Sequence, residues 1–217
     1  MNNIADNIKQ IRDSIAEAAV GSGRSPDDIK LVAVTKTKPA GDIRLAVAAG
    51  VDAIGENRVQ EMLEKQAQGA YEGTPLHFIG HLQKNKVNKV VGRAALIQSV
   101  DSIPLAEAID ACAGKKGMIQ PVLAQVNIAL EASKGGFPPN ALFEALRTMN
   151  TLRHIRVRGL MCIPPYGETQ WFEPMRRLYV QTGLEILSMG MSDDYELAVQ
   201  AGSNMVRIGS ALFGTRV

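Results

Sequence analysis

Lys36 is the residue whose position in this chain most directly indicates chemistry. It comes two residues after an apolar run at residues 31–34, and Lys38 and Pro39 follow after Thr37, the pattern of a buried strand that stops before a proline. In a parallel α/β sheet, ligands bind and reactions occur at the carboxyl ends of the strands. A lysine that is held there and partly desolvated can lose its proton near neutral pH and form a Schiff base with an aldehyde.

Two segments near the end of the chain predict a phosphate site. Ser188 closes one apolar run, and Gly209 and Ser210 follow another. If these runs are the seventh and eighth strands of a (β/α)8 barrel, the loops after them are a frequent phosphate site, built from backbone N–H groups at a short helix N-terminus. Gly209 would let the backbone approach the anion, and the two serine hydroxyls could donate hydrogen bonds. Asp193 and Asp194 disfavour a phosphate directly on the helix that they begin, and each segment by itself could form only a turn or a cap.

Arg207 lies inside an apolar run at residues 205–208. Alternation along a strand sends its two neighbours to the opposite side, so Arg207 can project into the barrel. A buried guanidinium needs an acceptor, because burying an unpaired charge costs several kcal/mol. Two kinds of partner are open: a structural ion pair with Glu56 or Glu185, or a ring nitrogen or phosphate of a ligand.

Two further side chains follow predicted strands and have both structural and functional interpretations. Asn57 comes after the second strand, where it can cap the next helix or line the mouth of the barrel. His81 comes after the third strand, where packing or capping is the more common role and acid–base chemistry the rarer one. His77, His81 and His154 do not have the spacing of metal ligands, so no metal site is expected.

The elements that must position these residues alternate along the chain between short apolar runs and longer amphipathic stretches. Eight runs have the length and composition of strands: residues 31–36, 53–56, 77–80, 96–100, 121–127, 157–162, 185–189 and 205–209. Alternating strands and helices imply a parallel sheet with right-handed crossovers, and eight strands favour a closed (β/α)8 TIM barrel over an open sheet. An additional amphipathic helix is predicted at residues 4–19, before the first strand.

The bulk composition fits one soluble globular domain. The 217 residues can bury a single core, so residues 1–217 are predicted to form one domain. The chain has 24 basic and 22 acidic residues, a balance that favours neither a nucleic-acid nor a membrane partner. Two distant cysteines, no signal-peptide pattern and no long apolar stretch make the cytoplasm the expected compartment. A monomer is expected.

A set of short motifs is distributed along nearly the whole chain. In order they are residues 33–39 (AVTKTKP), 55–57 (GEN), 77–80 (HFIG), 133–136 (SKGG), 158–161 (RGLM), 188–194 (SMGMSDD) and 206–210 (VRIGS). As an ordered set they resemble the pyridoxal phosphate homeostasis protein family, and the set is far more specific than any one motif. The lysine motif has Thr35 where serine is common in that family.

The resemblance implies a fold, a cofactor and a set of site residues. Members of the family resemble the barrel domain of alanine racemase and hold pyridoxal 5′-phosphate (PLP) as an internal aldimine on a lysine. The residues that the resemblance implies are Lys36 for the Schiff base, Ser188, Gly209 and Ser210 for the phosphate, Arg207 for the pyridine nitrogen, and Asn57 beside the cofactor.

An arginine at the pyridine nitrogen has a chemical consequence. Arginine is effectively always protonated and can only donate, so the ring nitrogen would stay unprotonated and the cofactor would be a weak electron sink. The expected function is therefore a carrier and regulator of cellular PLP, which supplies PLP-dependent enzymes. Little or no turnover is expected, and no residue is assigned as catalytic.

Two alternatives are open. One is a PLP-dependent amino-acid racemase, in which His81 or a mobile tyrosine serves as a second base opposite Lys36. The other is an aldolase-type lyase, in which Lys36 forms a Schiff base with a substrate carbonyl and no cofactor is needed. Loss of an α-hydrogen from amino acids to deuterated solvent would favour the first. A protein without a chromophore that borohydride traps with a sugar phosphate would favour the second.

Overall fold

A computed structural model describes residues 4–214, in which eight strands close into a barrel in the order of the sequence. The strands are β1 (Lys30–Val34), β2 (Ala53–Glu56), β3 (Leu76–Phe78), β4 (Leu96–Val100), β5 (Gln120–Val126), β6 (Ile155–Cys162), β7 (Ile186–Ser188) and β8 (Met205–Ile208). Paired strands run parallel, and β8 pairs with β1. The predicted (β/α)8 TIM barrel is confirmed.

The helices alternate with the strands, as the pattern of apolar residues predicts. Within the described residues they are α1 (Ile4–Gly21), α2 (Ala40–Ala48), α3 (Val59–Ala67), α4 (Val87–Val90), α5 (Ile103–Lys115), α6 (Leu142–Met149), α7 (Phe172–Thr182), α8 (Tyr195–Gln200) and α9 (Ser210–Phe213). Short 3-10 helices cover Pro26–Asp28, Lys84–Lys86, Pro139–Ala141 and Thr169–Trp171. The additional helix predicted before the first strand is confirmed as α1. Among the helices of residues 4–214, none is long and apolar enough to cross a membrane.

The first strand ends earlier than predicted, at Val34 and not at Lys36. Thr35 still donates its N–H to the neighbouring strand, but the chain then turns, and the Lys38 N–H donates to the Thr35 carbonyl. Thr37 in this turn has a φ of 65°. Because this left-handed conformation interrupts the extended backbone, Lys36 lies in a turn and not in the strand.

By their contacts the described residues form two compact units, and the first contains the chain up to Leu76 and from Met189 onward. This unit holds β1, β2 and β8 together with the helices α1, α2, α3, α8 and α9. The apolar face of α1 buries Ile8, Ile11 and Ile15, which recur every three or four residues, and α1 packs against α2, α8 and α9. The prediction of a single domain over residues 1–217 stays a prediction.

The second unit is His77–Ser188, and its largest strand pair is β5 with β6. The register of this pair skips Arg158, which is one extra residue on β6 and forms a bulge. Gly159 follows the bulge, and a Cβ at this position would lie 2.0 Å from the carbonyl oxygen of Ile186 on β7. Only glycine therefore allows β6 and β7 to approach this closely.

Candidate functional site

Lys36 lies in the turn after β1 and is exposed to solvent. The strand ends two residues before Lys36, and the exposure of this side chain differs from the partial desolvation that would favour a Schiff base. The assignment of Lys36 to the Schiff base stays a prediction. The register pairs Ala33 of β1 with Ile208 of β8. The turn that carries Lys36 therefore lies beside the segment that follows β8.

A buried cluster around the Glu56 carboxylate adjoins this turn. Three groups donate hydrogen bonds to Glu56 Oε1: Thr35 Oγ1 at 2.5 Å, Lys65 Nζ at 2.9 Å and Tyr71 Oη at 3.1 Å. Lys65 is only 7% exposed, and its Nζ also donates to the Thr35 carbonyl at 2.7 Å. Burial and the neighbouring Glu56 carboxylate raise the pKa of Tyr71, so its hydroxyl stays protonated and remains a donor. The cluster thus holds Thr35 through both its hydroxyl and its carbonyl.

Glu61, on α3, contacts the other side of the same turn. Its Oε2 accepts the Thr37 N–H at 2.7 Å and lies 3.2 Å from Lys65 Nζ. Burial by itself raises the pKa of Glu61, but the hydrogen bond from Thr37 and the charges of Lys65 and Arg58 outweigh burial. The pKa therefore lies below its usual value of 4.5. Glu61 is ionised at neutral pH, and both residues that flank Lys36 are held by side chains of β2 and α3.

Asn57 follows β2 and does not cap the next helix. The N-cap of α3 is Arg58, which makes no side-chain capping hydrogen bond. At this end of β2 two buried oxygens, Glu56 Oε2 and Asn57 Oδ1, have no hydrogen-bond partner within residues 4–214. The capping alternative for Asn57 is therefore wrong. An unpartnered buried acceptor costs about 1–3 kcal/mol, which a ligand that donates to it would recover.

Arg207 is 3% exposed and lies one residue before the end of β8. Of the two carboxylates that the sequence suggests as its partners, Glu56 pairs with Lys65 and Glu185 with Arg158. The charge of Arg207 also acts on the Asp194 carboxylate, where it opposes the effect of burial on the pKa. Arg207 thus brings a permanent positive charge to the end of the strand where parallel barrels bind ligands.

The segment after β8 directs backbone donors at a hydroxyl oxygen. The Gly209 and Ala211 N–H groups both donate to Ser192 Oγ, at 3.1 and 3.3 Å. Gly209 is the N-cap of α9 and Ala211 lies in its first turn, where N–H groups have no partner within the helix. Ser210 begins this helix and is exposed. Converging donors of this kind are the ones that bind phosphate oxygens.

Ser192 is held by the loop to which it belongs. Asp194 Oδ1 accepts the Met191 N–H at 2.6 Å, which closes the loop around Ser192. Burial raises the pKa of Asp194, although the Met191 N–H and the charge of Arg207 act in the opposite direction. The N–H groups that converge on Ser192 Oγ come from the start of α9 and not from the start of α8. The sequence likewise disfavours a phosphate at the start of α8, because Asp193 and Asp194 precede that helix. Ser192 was not predicted as a site residue, although it lies within one of the motifs.

Ser188 is the last residue of β7 and is fully buried in the second unit. Its Oγ donates to Gln98 Oε1 at 2.7 Å, and Gln98 Nε2 lies 3.0 Å from His77 Nδ1. Because an amide nitrogen can only donate, His77 Nδ1 accepts and carries no proton. Burial lowers the pKa of His77 to about 4. The Ser188 hydroxyl thus donates its hydrogen bond to Gln98 within this unit. The assignment of Ser188 to the phosphate stays a prediction.

His81 lies just after β3 and is exposed, with 72% of its side chain accessible. Its Nδ1 lies 3.1 Å from Asp101 Oδ2. An exposed imidazole beside a carboxylate fits neither the packed nor the capping role, and acid–base chemistry stays open for it. In the part of the chain that the structure describes, no group of three or more His, Cys, Asp or Glu side chains could hold a metal ion.

The structure brings most of the predicted site residues to neighbouring strand ends of the first unit. The strands β8, β1 and β2 are consecutive in the barrel. The predicted residues at or after their carboxyl ends are Lys36, Asn57, Arg207, Gly209 and Ser210. Ser188 belongs to the second unit.

Known proteins resemble this chain over its full length. The family model for the N-terminal domain of alanine racemase matches residues 1–217. A pyridoxal phosphate homeostasis protein of Pseudomonas aeruginosa is 41% identical over 225 residues, covering 100% of this chain and 97% of that protein. The protein of the same name from Aquifex aeolicus is 38% identical over 225 residues, covering 99% of each chain.

Solved structures agree with these relatives. PipY of Synechococcus elongatus with PLP bound has a TM-score of 0.83 and 35% identity, and the match covers 97% of this chain and 100% of PipY. An alanine racemase of Clostridium difficile has a TM-score of 0.77 over 100% of this chain and 57% of the racemase, but at 18% identity it shows the fold alone. With the family model matched from end to end and relatives at 38% and 41% identity, this chain belongs to the pyridoxal phosphate homeostasis protein family.

Proposed function

We propose that this chain binds PLP at the carboxyl ends of β8, β1 and β2 and takes part in intracellular homeostasis of this cofactor. The observation that carries the proposal is that an exposed lysine and two converging backbone donors follow the ends of two paired strands. Lys36 follows β1, while the Gly209 and Ala211 N–H groups follow β8. The register of β1 with β8 makes the two segments neighbours. The names of the relatives and the PLP in PipY support the same cofactor.

The residues present fit the cofactor at its phosphate end and beside its ring. The Gly209 and Ala211 N–H groups converge on Ser192 Oγ, and a phosphate oxygen could take the place of this hydroxyl oxygen. The exposed Ser210 hydroxyl could add a further donor. Asn57 Oδ1 is buried and has no partner within the described part of the chain, so it can accept a hydrogen bond from a polar group of the cofactor.

Lys36 would hold the cofactor covalently. The Lys36 amine would supply the nitrogen of a Schiff base with the aldehyde of the cofactor, with loss of one water molecule. PLP supplies the aldehyde for this bond and a pyridine ring that takes up electrons when its nitrogen is protonated. Because Lys36 is exposed, its amine is accessible from solvent without any opening of the structure.

Arg207 would determine what the protein can do with the cofactor. A guanidinium can only donate, so Arg207 hydrogen-bonded to the pyridine nitrogen would leave that nitrogen unprotonated. Arg207 is almost fully buried, so water screens its charge little. An unprotonated ring takes up electrons poorly, and the proposed role is therefore storage of PLP and its supply to cytoplasmic enzymes, with little or no turnover.

A second candidate function is amino-acid racemisation. The pairing of His81 with Asp101 favours it, because an exposed imidazole beside a carboxylate can exchange protons. A racemase would exchange the α-hydrogen of alanine with deuterated solvent, and the exchange would depend on His81. Absence of exchange in the protein loaded with PLP would exclude this candidate and leave the carrier role.

The absorption spectrum of the purified protein with added PLP tests the proposed function. Lys38→Ala is the matched control for Lys36→Ala, because Lys38 is the nearest other lysine and its Nζ donates to the Phe213 carbonyl. We expect a visible band in the wild type and in Lys38→Ala but none in Lys36→Ala. Borohydride reduction and peptide mass mapping would then place the adduct on Lys36. A band in Lys36→Ala would refute the assigned lysine, and no band in any of these proteins would refute PLP binding.

A further inference from the structure

The backbone on each side of Lys36 is hydrogen-bonded to a charged side chain of α3. On one side, Lys65 Nζ donates to the Thr35 carbonyl at 2.7 Å. On the other side, the Thr37 N–H donates to Glu61 Oε2 at 2.7 Å. Glu61 and Lys65 are four residues apart on one helix and contact each other at 3.2 Å, so the two hydrogen bonds form one connected unit.

We infer that Glu61 and Lys65 are positioning residues, which fix the backbone of Lys36 in the geometry that binds the cofactor. This inference rests on the proposed role of Lys36. Fixing the two peptide groups leaves only side-chain rotations to be ordered when the lysine binds its ligand. A pre-ordered group binds more tightly, because less conformational entropy is lost on binding.

The conformation of Thr37 shows why the turn needs support from outside. Its φ of 65° lies in the left-handed region, which β-branched residues rarely adopt. A turn of this kind is unfavourable by itself and persists when surrounding contacts hold it. The hydrogen bond from the Thr37 N–H to ionised Glu61 is such a contact, and it is charge-assisted.

The chemistry of the cluster also favours positioning over simple stabilisation. Lys65 is buried, and a buried ion pair is seldom more stabilising than apolar side chains of the same volume. Glu56 Oε1 already accepts one hydrogen bond from the Lys65 ammonium, at an N–O distance of 2.9 Å. Lys65 and Glu61 also form hydrogen bonds with the peptide groups on the two sides of Lys36. Apolar side chains could not form these hydrogen bonds.

The test compares Glu61→Ala with Glu64→Ala, a matched control on the same helix. Glu64 is exposed, and its Oε1 accepts from Gln60 one turn earlier. We expect Glu61→Ala to weaken PLP binding by about tenfold to a hundredfold, the worth of one hydrogen bond to a charged group, and Glu64→Ala to leave it unchanged. Absorption titration measures the dissociation constant.

A second readout needs no cofactor. Amide hydrogen exchange at Thr37 reports directly on its hydrogen bond, and we expect it to accelerate in Glu61→Ala and not in Glu64→Ala. Glu61→Gln keeps the volume and a neutral acceptor oxygen, so its affinity and its exchange rate are expected to lie between those of the wild type and Glu61→Ala. A general loss of stability would accelerate exchange at many amides and would not by itself rank the variants by the exchange rate of the Thr37 amide.

The outcomes separate the inference from the proposed function. If the wild type itself forms no band with PLP, the proposed function fails. If the wild type binds PLP and Glu61→Ala binds it as tightly as Glu64→Ala, the inference is overturned while the proposed function stands. If Glu61→Ala does not fold, Glu61→Gln provides the test. The inference is overturned if Glu61→Gln binds PLP as tightly as the wild type and its Thr37 amide exchanges at the same rate.

Discussion

We expect acid to destabilise the protein through His77. This residue is 8% exposed, and its Nδ1 accepts a hydrogen bond from the Gln98 amide. Protonation would place a charge in a buried site and would turn Nδ1 from an acceptor into a donor that faces another donor. Burial accordingly lowers the pKa of His77 to about 4 in the folded protein.

The sign and size of the effect follow from this pKa. In the unfolded chain the pKa of His77 is near 6.5, so the unfolded state binds a proton below that pH. In the folded state His77 binds this proton only when the pH falls to about 4. The free energy of unfolding therefore falls as the pH decreases through this window, by about 1.4 kcal/mol per pH unit. Over the whole window the loss amounts to about 3 kcal/mol.

Urea unfolding of the cofactor-free protein between about pH 4.5 and about pH 7.5 measures this dependence. His77→Gln keeps a polar side chain beside Gln98 but cannot titrate, so its stability is expected to change less with pH. His154→Gln is the control, because that histidine is only partly buried and lies beside Asp110. Equal slopes for the wild type and His77→Gln would contradict the explanation.

Three further predictions concern the charged cluster, the barrel and the carboxyl end of β2. Lys65→Met leaves Glu56 buried without its cation, and we expect urea unfolding to show a loss of about 3–5 kcal/mol, part of which Glu56→Gln restores. Gly159→Ala is expected to cost more than about 2 kcal/mol by overpacking, whereas Gly41→Ala on helix α2, with open space, stabilises by about 0.5–1 kcal/mol. Asn57→Ala is expected to change the unfolding free energy of the cofactor-free protein by less than about 1 kcal/mol but to weaken PLP binding about tenfold in an absorption titration.

The barrel, and the edge at which the candidate site residues lie, could be predicted from sequence for a simple reason. Strand–helix alternation has a strong periodic signal, and parallel strands place all their carboxyl ends at the same edge. Lys36, just after β1, and Arg207, near the end of β8, therefore lie at the carboxyl ends of neighbouring strands of the first unit.

The local geometry around Lys36 could not be predicted in the same way. A left-handed threonine has no sequence signal, because position 37 would normally need glycine or asparagine for such a turn. Lys65 is charged and was assigned no role, since lysine is seldom buried unless it is paired, and its partner Glu56 lies on a different element. The contact of Ser192 with the start of α9 joins residues 17 and 19 positions apart, which spacing alone does not reveal.

In the proposed site, the contact between Ser192 and the start of α9 would make anion binding an exchange of acceptors. The Gly209 and Ala211 N–H groups already have an acceptor in Ser192 Oγ, so an incoming oxygen must compete with it. A neutral oxygen would gain little from the replacement, whereas an anionic oxygen forms hydrogen bonds roughly twice as strong. In the proposed site the loop would therefore favour anionic over neutral ligands, because the ligand oxygen has to displace Ser192 Oγ. By the same reasoning, inorganic phosphate at high concentration would compete for these two donors.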